Sequence, residues 1–147
     1  MYTVRVATVT DYAAIADVIA RYDMVAPVFH VPSTWWVVCD THQQICGTIG
    51  VEHGDNAWLL RSAVVDTHIR GYGVGRALTR ALIDSAAQHG IAHVYCFSTD
   101  AGEFWQHMGF WEVPVTELLA ALPNAPQVAQ FDHLGWLPTE VAWRYDL

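Results

Sequence analysis

The sequence of 147 residues lacks most features that mark secreted, metal-binding and membrane proteins. Its three cysteines are widely spaced and none forms a C-x-x-C pair, which favours reduced thiols over a disulfide framework. The eight histidines lack the H-E-x-x-H spacing of a metal helix, so we expect no metal site. No apolar run is long enough for a bilayer, and the start of the chain has no export-signal pattern. We therefore expect a cytoplasmic protein.

Positive charge is also scarce. Seven basic residues stand against fifteen acidic ones, the formal net charge is -8, and no basic cluster occurs. Contact with nucleic acid phosphates or with an anionic membrane surface is therefore disfavoured. A small-molecule partner becomes the leading expectation. The length fits one domain, residues 1–147, with a core that needs no disulfide or metal. A homodimer is compatible with these features.

The sequence does contain a glycine-rich turn, R-G-Y-G-V-G-R, from Arg70 to Arg76. Three glycines in five positions expose backbone N–H groups without side chains that would keep a ligand away. The turn lies between an apolar strand-like run, 57–65, and a segment with helical periodicity, so a helix N-terminus would point into it. This combination predicts a cradle for an anion such as phosphate. The alternative is a tight strand-to-helix turn that binds nothing.

Two common phosphate-binding motifs do not fit this turn. A Walker A loop needs Lys followed by Ser or Thr after its last glycine, whereas Gly75 is followed by Arg76 and Ala77. A dinucleotide fold needs an acidic residue about 20 positions further on, where this chain has Tyr, Cys and Phe. The pattern Arg-x-x-Gly-x-Gly resembles instead the pyrophosphate-binding signature of the GNAT family of N-acetyltransferases. Gly73 and Gly75 occupy its two small positions.

The order of the expected elements also matches that family. We expect strands at 4–7, 34–39, 44–52, 57–65, 92–97, 110–115 and 141–147. Helices are expected after Thr10 or Asp11, after the glycine turn as far as His89, at 102–108 and at 117–122, followed by a long connection with Pro126 and Pro138. The resemblance implies an α/β (α+β) GNAT fold. Its central sheet is mixed, mostly antiparallel, with six to seven strands flanked by about four helices.

A second family signature lies further along the chain, where a short helix ends in Gly109-Phe110. Three stretches are also similar to the branch that acetylates the α-amino group of amino acids or their analogues, including arsenic-resistance members. They are Leu60-Arg61-Ser62, Ser98-Thr99 and the segment from Gly109 to Pro114. The resemblance implies an acetyl-CoA-dependent N-acetyltransferase that transfers acetyl directly to a small-molecule amine. A non-catalytic acyl-CoA-binding module and a protein N-acetyltransferase are the alternatives.

The resemblance also assigns cofactor contacts to particular residues. The backbone of Val64 and Val65 would hydrogen-bond the pantetheine arm. The pyrophosphate would be held by the Arg70 side chain and by the N–H groups of Arg70, Gly71, Gly73, Gly75 and Arg76. The resulting cofactor-binding set is Val64, Val65, Arg70, Gly71, Tyr72, Gly73, Gly75, Arg76, Thr99 and Phe104.

For catalysis, the Val65 N–H is the expected donor to the thioester oxygen as negative charge develops there. Many family members have a tyrosine that acts as general acid on the helix before Gly-Phe, where this chain has Phe104-Trp105. Ser98 or Thr99 would then polarise the leaving sulfur, or the thiolate would leave unassisted.

Arg61 is the one charged residue in the strand expected at 57–65. A charge inside an otherwise apolar strand needs a partner, and two alternatives are open: a salt bridge with Glu52 or a bidentate contact with a substrate carboxylate. Ser62 would be a second contact. The proline-containing segment 23–33 is either a buried connector or a lid over a pocket, and Phe29 within it is a predicted acceptor-binding residue.

Overall fold

The computed structural model of the protein describes residues 1–147, which form seven strands and five helices. The strands are β1 (Thr3–Val6), β2 (Ser33–Cys39), β3 (Ile45–His53), β4 (Ala57–Val65), β5 (His93–Phe97), β6 (Trp111–Val113) and β7 (Ala142–Asp146). The helices are α1 (Tyr12–Arg21), α2 (Val74–Gln88), α3 (Gly102–Met108), α4 (Val115–Ala121) and α5 (Pro126–His133). No helix has both the length and the apolar character that a membrane span requires.

The strands form one mixed sheet in the order β1-β2-β3-β4-β5-β7-β6. β1 runs antiparallel to β2, and β7 runs antiparallel to both β5 and β6. β4 and β5 are parallel, and their register aligns Ala57 with His93 and Leu60 with Cys96. The parallel pair follows from the connection between them, because α2 supplies the crossover that parallel neighbours need. The expected fold class is confirmed.

The chain forms two compact units, of which the first comprises residues 1–51 and 62–84. Its core lies where one stripe of α1 packs against alternate residues of β2. The side chains in this cluster are Ile15, Val18, Ile19, Trp35, Val37, Cys39 and Val64. The helical spacing of the first three and the two-residue spacing of the next three explain why both elements present one apolar face. This unit carries the glycine turn.

The second unit comprises residues 52–61 and 85–147. Its core is built from side chains of β4, β5 and β7 and from the helical segments after β6. They are Ala57, Leu59, Tyr95, Leu118, Leu122, Ala125, Val128 and Ala142. α3 ends at Gly109, whose φ of +100° lies in the left-handed region that suits glycine at a helix C-terminus. This agrees with the helix expected over 102–108.

The stretch after β6 differs from expectation. It was expected as a strand to residue 115, a short helix and then an irregular connection, but α4 begins at Val115 and α5 begins at Pro126. Proline favours the first position of a helix because its fixed φ suits that position and its missing N–H has no partner there anyway. Pro126 therefore starts a helix where an irregular connection was expected. Pro114, at the N-cap of α4, ends β6 after three residues.

Candidate functional site

The glycine turn connects β4 to α2 through a 3-10 segment, Thr67–Ile69. Gly71 and Gly73 have φ values of +91° and +77°, which residues with a side chain rarely adopt. A Cβ atom added at either position would meet no other atom within 4 Å. The two glycines are therefore required by backbone conformation, and the space beside the turn is open to a ligand.

A row of backbone donors faces no acceptor at this turn. The N–H groups of Gly71 to Arg76, six in succession, donate to no other group of the protein. The preceding N–H, that of Arg70, donates to the Thr67 carbonyl at 3.3 Å, and the following one, of Ala77, donates to Gly73 at 3.0 Å. Together with the positive end of the α2 dipole, this row is suited to binding an anion.

The Arg70 side chain is held beside the same turn. Its Nε donates to the Val65 carbonyl at 3.0 Å, and its guanidinium carbon lies 5.2 Å from the centre of the Tyr22 ring. The two terminal nitrogens donate to no protein group, and the residue is exposed. The guanidinium is therefore fixed in place while most of its donors are available for a phosphate. The residues present fit the diphosphate of coenzyme A.

β4 changes conformation just before this turn. Ser62 has a φ of +56°, a left-handed value that is uncommon for any residue except glycine and is unusual within a strand. Ser62 and Val64 are buried, and Val65 is half-buried. An irregularity of this kind breaks the two-residue alternation of side chains along a strand. The sequence contains no signal for it, because serine is not a residue that usually marks such a position.

Arg61 lies in a buried polar cluster. The side chain is 1 % exposed, and its NH1 lies 2.8 Å from Glu52 Oε2 and 2.8 Å from Gln130 Oε1. The other Glu52 oxygen accepts the Gln127 N–H at 2.9 Å. The salt bridge with Glu52, one of the two alternatives from the sequence, is thus present and balances both buried charges. The contact of Arg61 with a substrate carboxylate stays a prediction.

The residues predicted to assist the leaving group follow β5. Ser98 is anchored by its backbone, whose N–H donates to Val141 at 2.9 Å and whose carbonyl accepts Trp143 Nε1 at 2.9 Å. Its Oγ accepts the Ala101 N–H at 3.3 Å, which leaves the hydroxyl proton to be donated elsewhere. Thr99 is exposed. Phe104 stands edge-on to Trp105, with ring centroids 4.9 Å apart.

Phe29 lines an open depression of about 440 Å³ together with Tyr12, Pro27, Val28 and His30. The rings of Phe29 and Tyr12 stack at 4.3 Å, and Phe29 also lies 5.1 Å from the buried Trp35. Phe29 thus packs the segment 23–33 against the core, and the segment forms a wall of a concave surface. Its volume falls within the range of small-molecule sites.

Comparisons with known proteins assign the chain to a family. The acetyltransferase (GNAT) domain family matches residues 32–112. The chain therefore belongs to the GNAT family, is an acyltransferase of that type, and has acetyl-CoA as its co-substrate. No curated protein sequence matches it.

Solved structures share the fold. A GNAT acetyltransferase from Staphylococcus aureus is 16% identical, with 100% of this chain and 99% of that chain covered and a TM-score of 0.78. N-acetylglutamate synthase from Neisseria gonorrhoeae, complexed with coenzyme A and N-acetylglutamate, is 16% identical at a TM-score of 0.78; 100% of this chain is covered but only 35% of the synthase. Rv2747 from Mycobacterium tuberculosis, solved with CoA, is 19% identical, with 99% of both chains covered and a TM-score of 0.73.

Several site residues could not be recognised from the sequence. Tyr22 appears there only as one more residue on the apolar stripe of α1, yet its hydroxyl bonds to Asp66, 44 residues away. Asp66 itself reads as an ordinary turn residue. Gln130, the second partner of Arg61, lies 69 residues from it in a helix that was not expected. Such long-range pairs leave no local pattern in a single sequence.

Proposed function

We propose that this GNAT domain transfers the acetyl group of acetyl-CoA to the amino group of a small molecule, an amino acid or an amino-acid analogue. The observation that carries the proposal is the run of unpaired N–H groups from Gly71 to Arg76 beside the fixed Arg70 guanidinium. In this assignment Gly71, Gly73, Gly75 and Arg76 donate backbone hydrogen bonds to the diphosphate. The Arg70 N–H is already bonded to Thr67, so Arg70 contributes through its side chain.

The reaction forms a C–N bond and breaks the thioester C–S bond. The amine proton leaves to water, and the departing thiolate must be stabilised until it takes up a proton from water. Bound acetyl-CoA supplies the activated acyl group. The backbone of Val64 and Val65 would hold the pantetheine arm, and the Val65 N–H would stabilise the negative charge that develops on the thioester oxygen. Placing the amine beside the thioester supplies much of the acceleration, because the two reactants no longer have to meet in solution.

Stabilisation of the leaving sulfur falls to a hydroxyl. Ser98 is the preferred candidate because its Oγ already accepts the Ala101 N–H, which orients the hydroxyl and leaves its proton for donation. Thr99 is the second candidate. Neither Phe104 nor Trp105 can act as an acid at neutral pH, since one has no ionisable group and the other only an indole N–H. Phe104, Tyr72 and Thr99 are also assigned to contacts with the cofactor.

The acceptor is assigned to Arg61, Ser62 and Phe29. Arg61 lies four residues before Val65 in the sequence of β4. Because Arg61 is already paired with Glu52, an acceptor carboxylate would share the guanidinium with Glu52 or take the place of Gln130. The depression beside Phe29 would receive an apolar part of the acceptor.

The test is a turnover assay with acetyl-CoA and a panel of amino acids and their analogues, in which free thiol and acetylated product are measured together. Stoichiometric release of thiol and formation of an N-acetyl product with at least one small amine is the expected result. Tight CoA binding with no thiol release on any acceptor would contradict the proposal. All seven basic residues are arginines, so the chain has no lysine. Acetyl-lysine formed in a parallel incubation with proteins would therefore come from a protein acceptor and would favour that alternative.

A further inference from the structure

Tyr22, the residue that follows α1, contacts the loop between β4 and α2 in three ways. Its hydroxyl donates to Asp66 Oδ1 at 2.9 Å and accepts the Thr67 N–H at 3.0 Å. Its ring supports the Arg70 guanidinium, whose carbon lies 5.2 Å from the ring centre. One side chain thus holds three residues of the segment that leads into the glycine turn.

Arg21, the residue before Tyr22, also contacts Asp66. Arg21 NH2 lies 3.1 Å from both carboxylate oxygens of Asp66. A carboxylate beside an anion-binding loop would repel a phosphate, and the Arg21 contact offsets that charge. The side chain of Asp66 is 14% exposed, against 53% for Arg21, so the carboxylate is the more fixed partner. Asp66 can therefore orient Tyr22 without leaving an uncompensated negative charge.

The consequence for Arg70 is a restricted orientation. Its Nε donates to the Val65 carbonyl, and its guanidinium carbon lies over the Tyr22 ring. A long side chain that is ordered before a ligand arrives loses less conformational freedom on binding. The two terminal nitrogens of Arg70 thus offer a preset pair of donors for a phosphate.

We infer that Tyr22 is a positioning residue for the diphosphate of coenzyme A. It holds residues 66–70, which directly precede the open N–H groups of residues 71–76, in one conformation. It also sets the orientation of the Arg70 side chain. Tyr22 does not touch the reacting atoms, and its effect reaches the ligand through Thr67 and Arg70. The inference rests on the cofactor site of the proposed function. The ligand class it serves is a diphosphate ester.

The experiment compares Tyr22→Phe with the wild-type protein by measuring the dissociation constants of CoA and of pantetheine, which has the same thiol arm without any phosphate. Phenylalanine keeps the ring under Arg70 and removes the hydroxyl that bonds Asp66 and Thr67. The Kd for CoA should rise about fivefold, because loss of these two hydrogen bonds lowers the population of the binding-competent loop conformation. The Kd for pantetheine should not change. Tyr145→Phe is the matched control, since the Tyr145 hydroxyl makes no hydrogen bond and its ring contacts Phe110.

A double-mutant cycle tests whether the ring acts through Arg70. Tyr22→Leu should weaken CoA binding about tenfold or more in the wild-type background, because it removes the ring as well as the hydroxyl. In an Arg70→Ala background the same change should cost only what the hydroxyl costs. Additive losses would overturn the link from the ring to Arg70. Circular dichroism verifies that each variant is folded.

The possible failures are distinct from one another. Equal Kd values for CoA in the wild type and Tyr22→Phe would overturn the role of Tyr22 and leave the cofactor site intact. A parallel loss for CoA and pantetheine would also overturn it, because general damage to the fold would then be the cause. If the wild-type protein binds CoA no better than pantetheine, the phosphate cradle of the proposed function is itself wrong.

Discussion

The substitution Gly73→Ala distinguishes two reasons for a glycine at this position: its left-handed backbone conformation and the space that it leaves for the diphosphate. The φ of +77° strains any residue with a side chain, and this strain should destabilise the folded protein by about 1 kcal/mol. For a chain of this size that is a fall in Tm of about 3 °C. No steric cost is added, because a Cβ there meets no protein atom within 4 Å.

The effect on cofactor binding should be much larger. The same open space is where the diphosphate must approach the Gly73 and Gly75 N–H groups, and a methyl group would keep its oxygens beyond hydrogen-bonding distance. Losing two charge-assisted hydrogen bonds at about 1.5 kcal/mol each raises the Kd for CoA about 100-fold. Isothermal titration calorimetry with CoA and thermal melting of the unliganded protein measure the two effects separately.

Gly90→Ala is the matched control. Gly90 has a φ of +70°, and a Cβ there also meets nothing within 4 Å, but this glycine follows the opposite end of α2. Its substitution should lower Tm by a similar amount and leave the Kd for CoA unchanged. Unchanged CoA binding by Gly73→Ala would refute the reasoning, and so would an equal loss of binding in the two variants.

Three further predictions concern other parts of the molecule. Arg61→Ala should raise the acceptor KM without changing the Kd for CoA, and it should lower Tm because the buried Glu52 loses its ion-pair partner. Steady-state kinetics and thermal melting measure these effects, and loss of CoA binding would contradict the prediction. Ser98→Ala should lower kcat about tenfold at an unchanged Kd for CoA, and an unchanged kcat would remove Ser98 from the mechanism. The hydrogen bonds from Arg5 and the Thr8 backbone lower the pKa of Asp11 from 3.8 to about 2, so its contribution to stability is present above pH 4 and is lost as the pH falls towards 2. Asp11→Asn should therefore lower the free energy of unfolding by about 1 kcal/mol at pH 7 and by almost nothing at pH 2. Thermal melts between these pH values measure the difference. A loss of stability that does not depend on pH would exclude the ion pair as its cause.

Local sequence signals predicted the elements that depend on local conformation. The glycine turn could be identified from Gly71 and Gly73, whose φ values exclude most other residues. The helix α2 could be identified because Val74, Leu78 and Leu82 recur at helical spacing, and all three are buried. Together with Gly109-Phe110 they led to the family and to its cofactor, both confirmed. The individual contacts assigned to the site residues stay predictions.

Features that depend on long-range contacts could not be predicted in the same way. The bond between Tyr22 and Asp66 joins the end of α1 to a loop 44 residues later. The partner of Arg61 was left undecided because both a protein carboxylate and a substrate carboxylate satisfy the same guanidinium. α5 was not predicted because Pro126 was interpreted as part of an irregular connection. Proline is also compatible with the first turn of a helix, which is where Pro126 lies.

The most direct test of the central claim is a titration of the uniformly ¹⁵N-labelled protein with CoA, followed by amide chemical shifts. Hydrogen bonds to the diphosphate should shift the amide resonances between Gly71 and Arg76 strongly downfield, while pantetheine should leave them in place. If CoA binds and those resonances do not move, the row of open N–H groups is not where this acetyltransferase holds its cofactor.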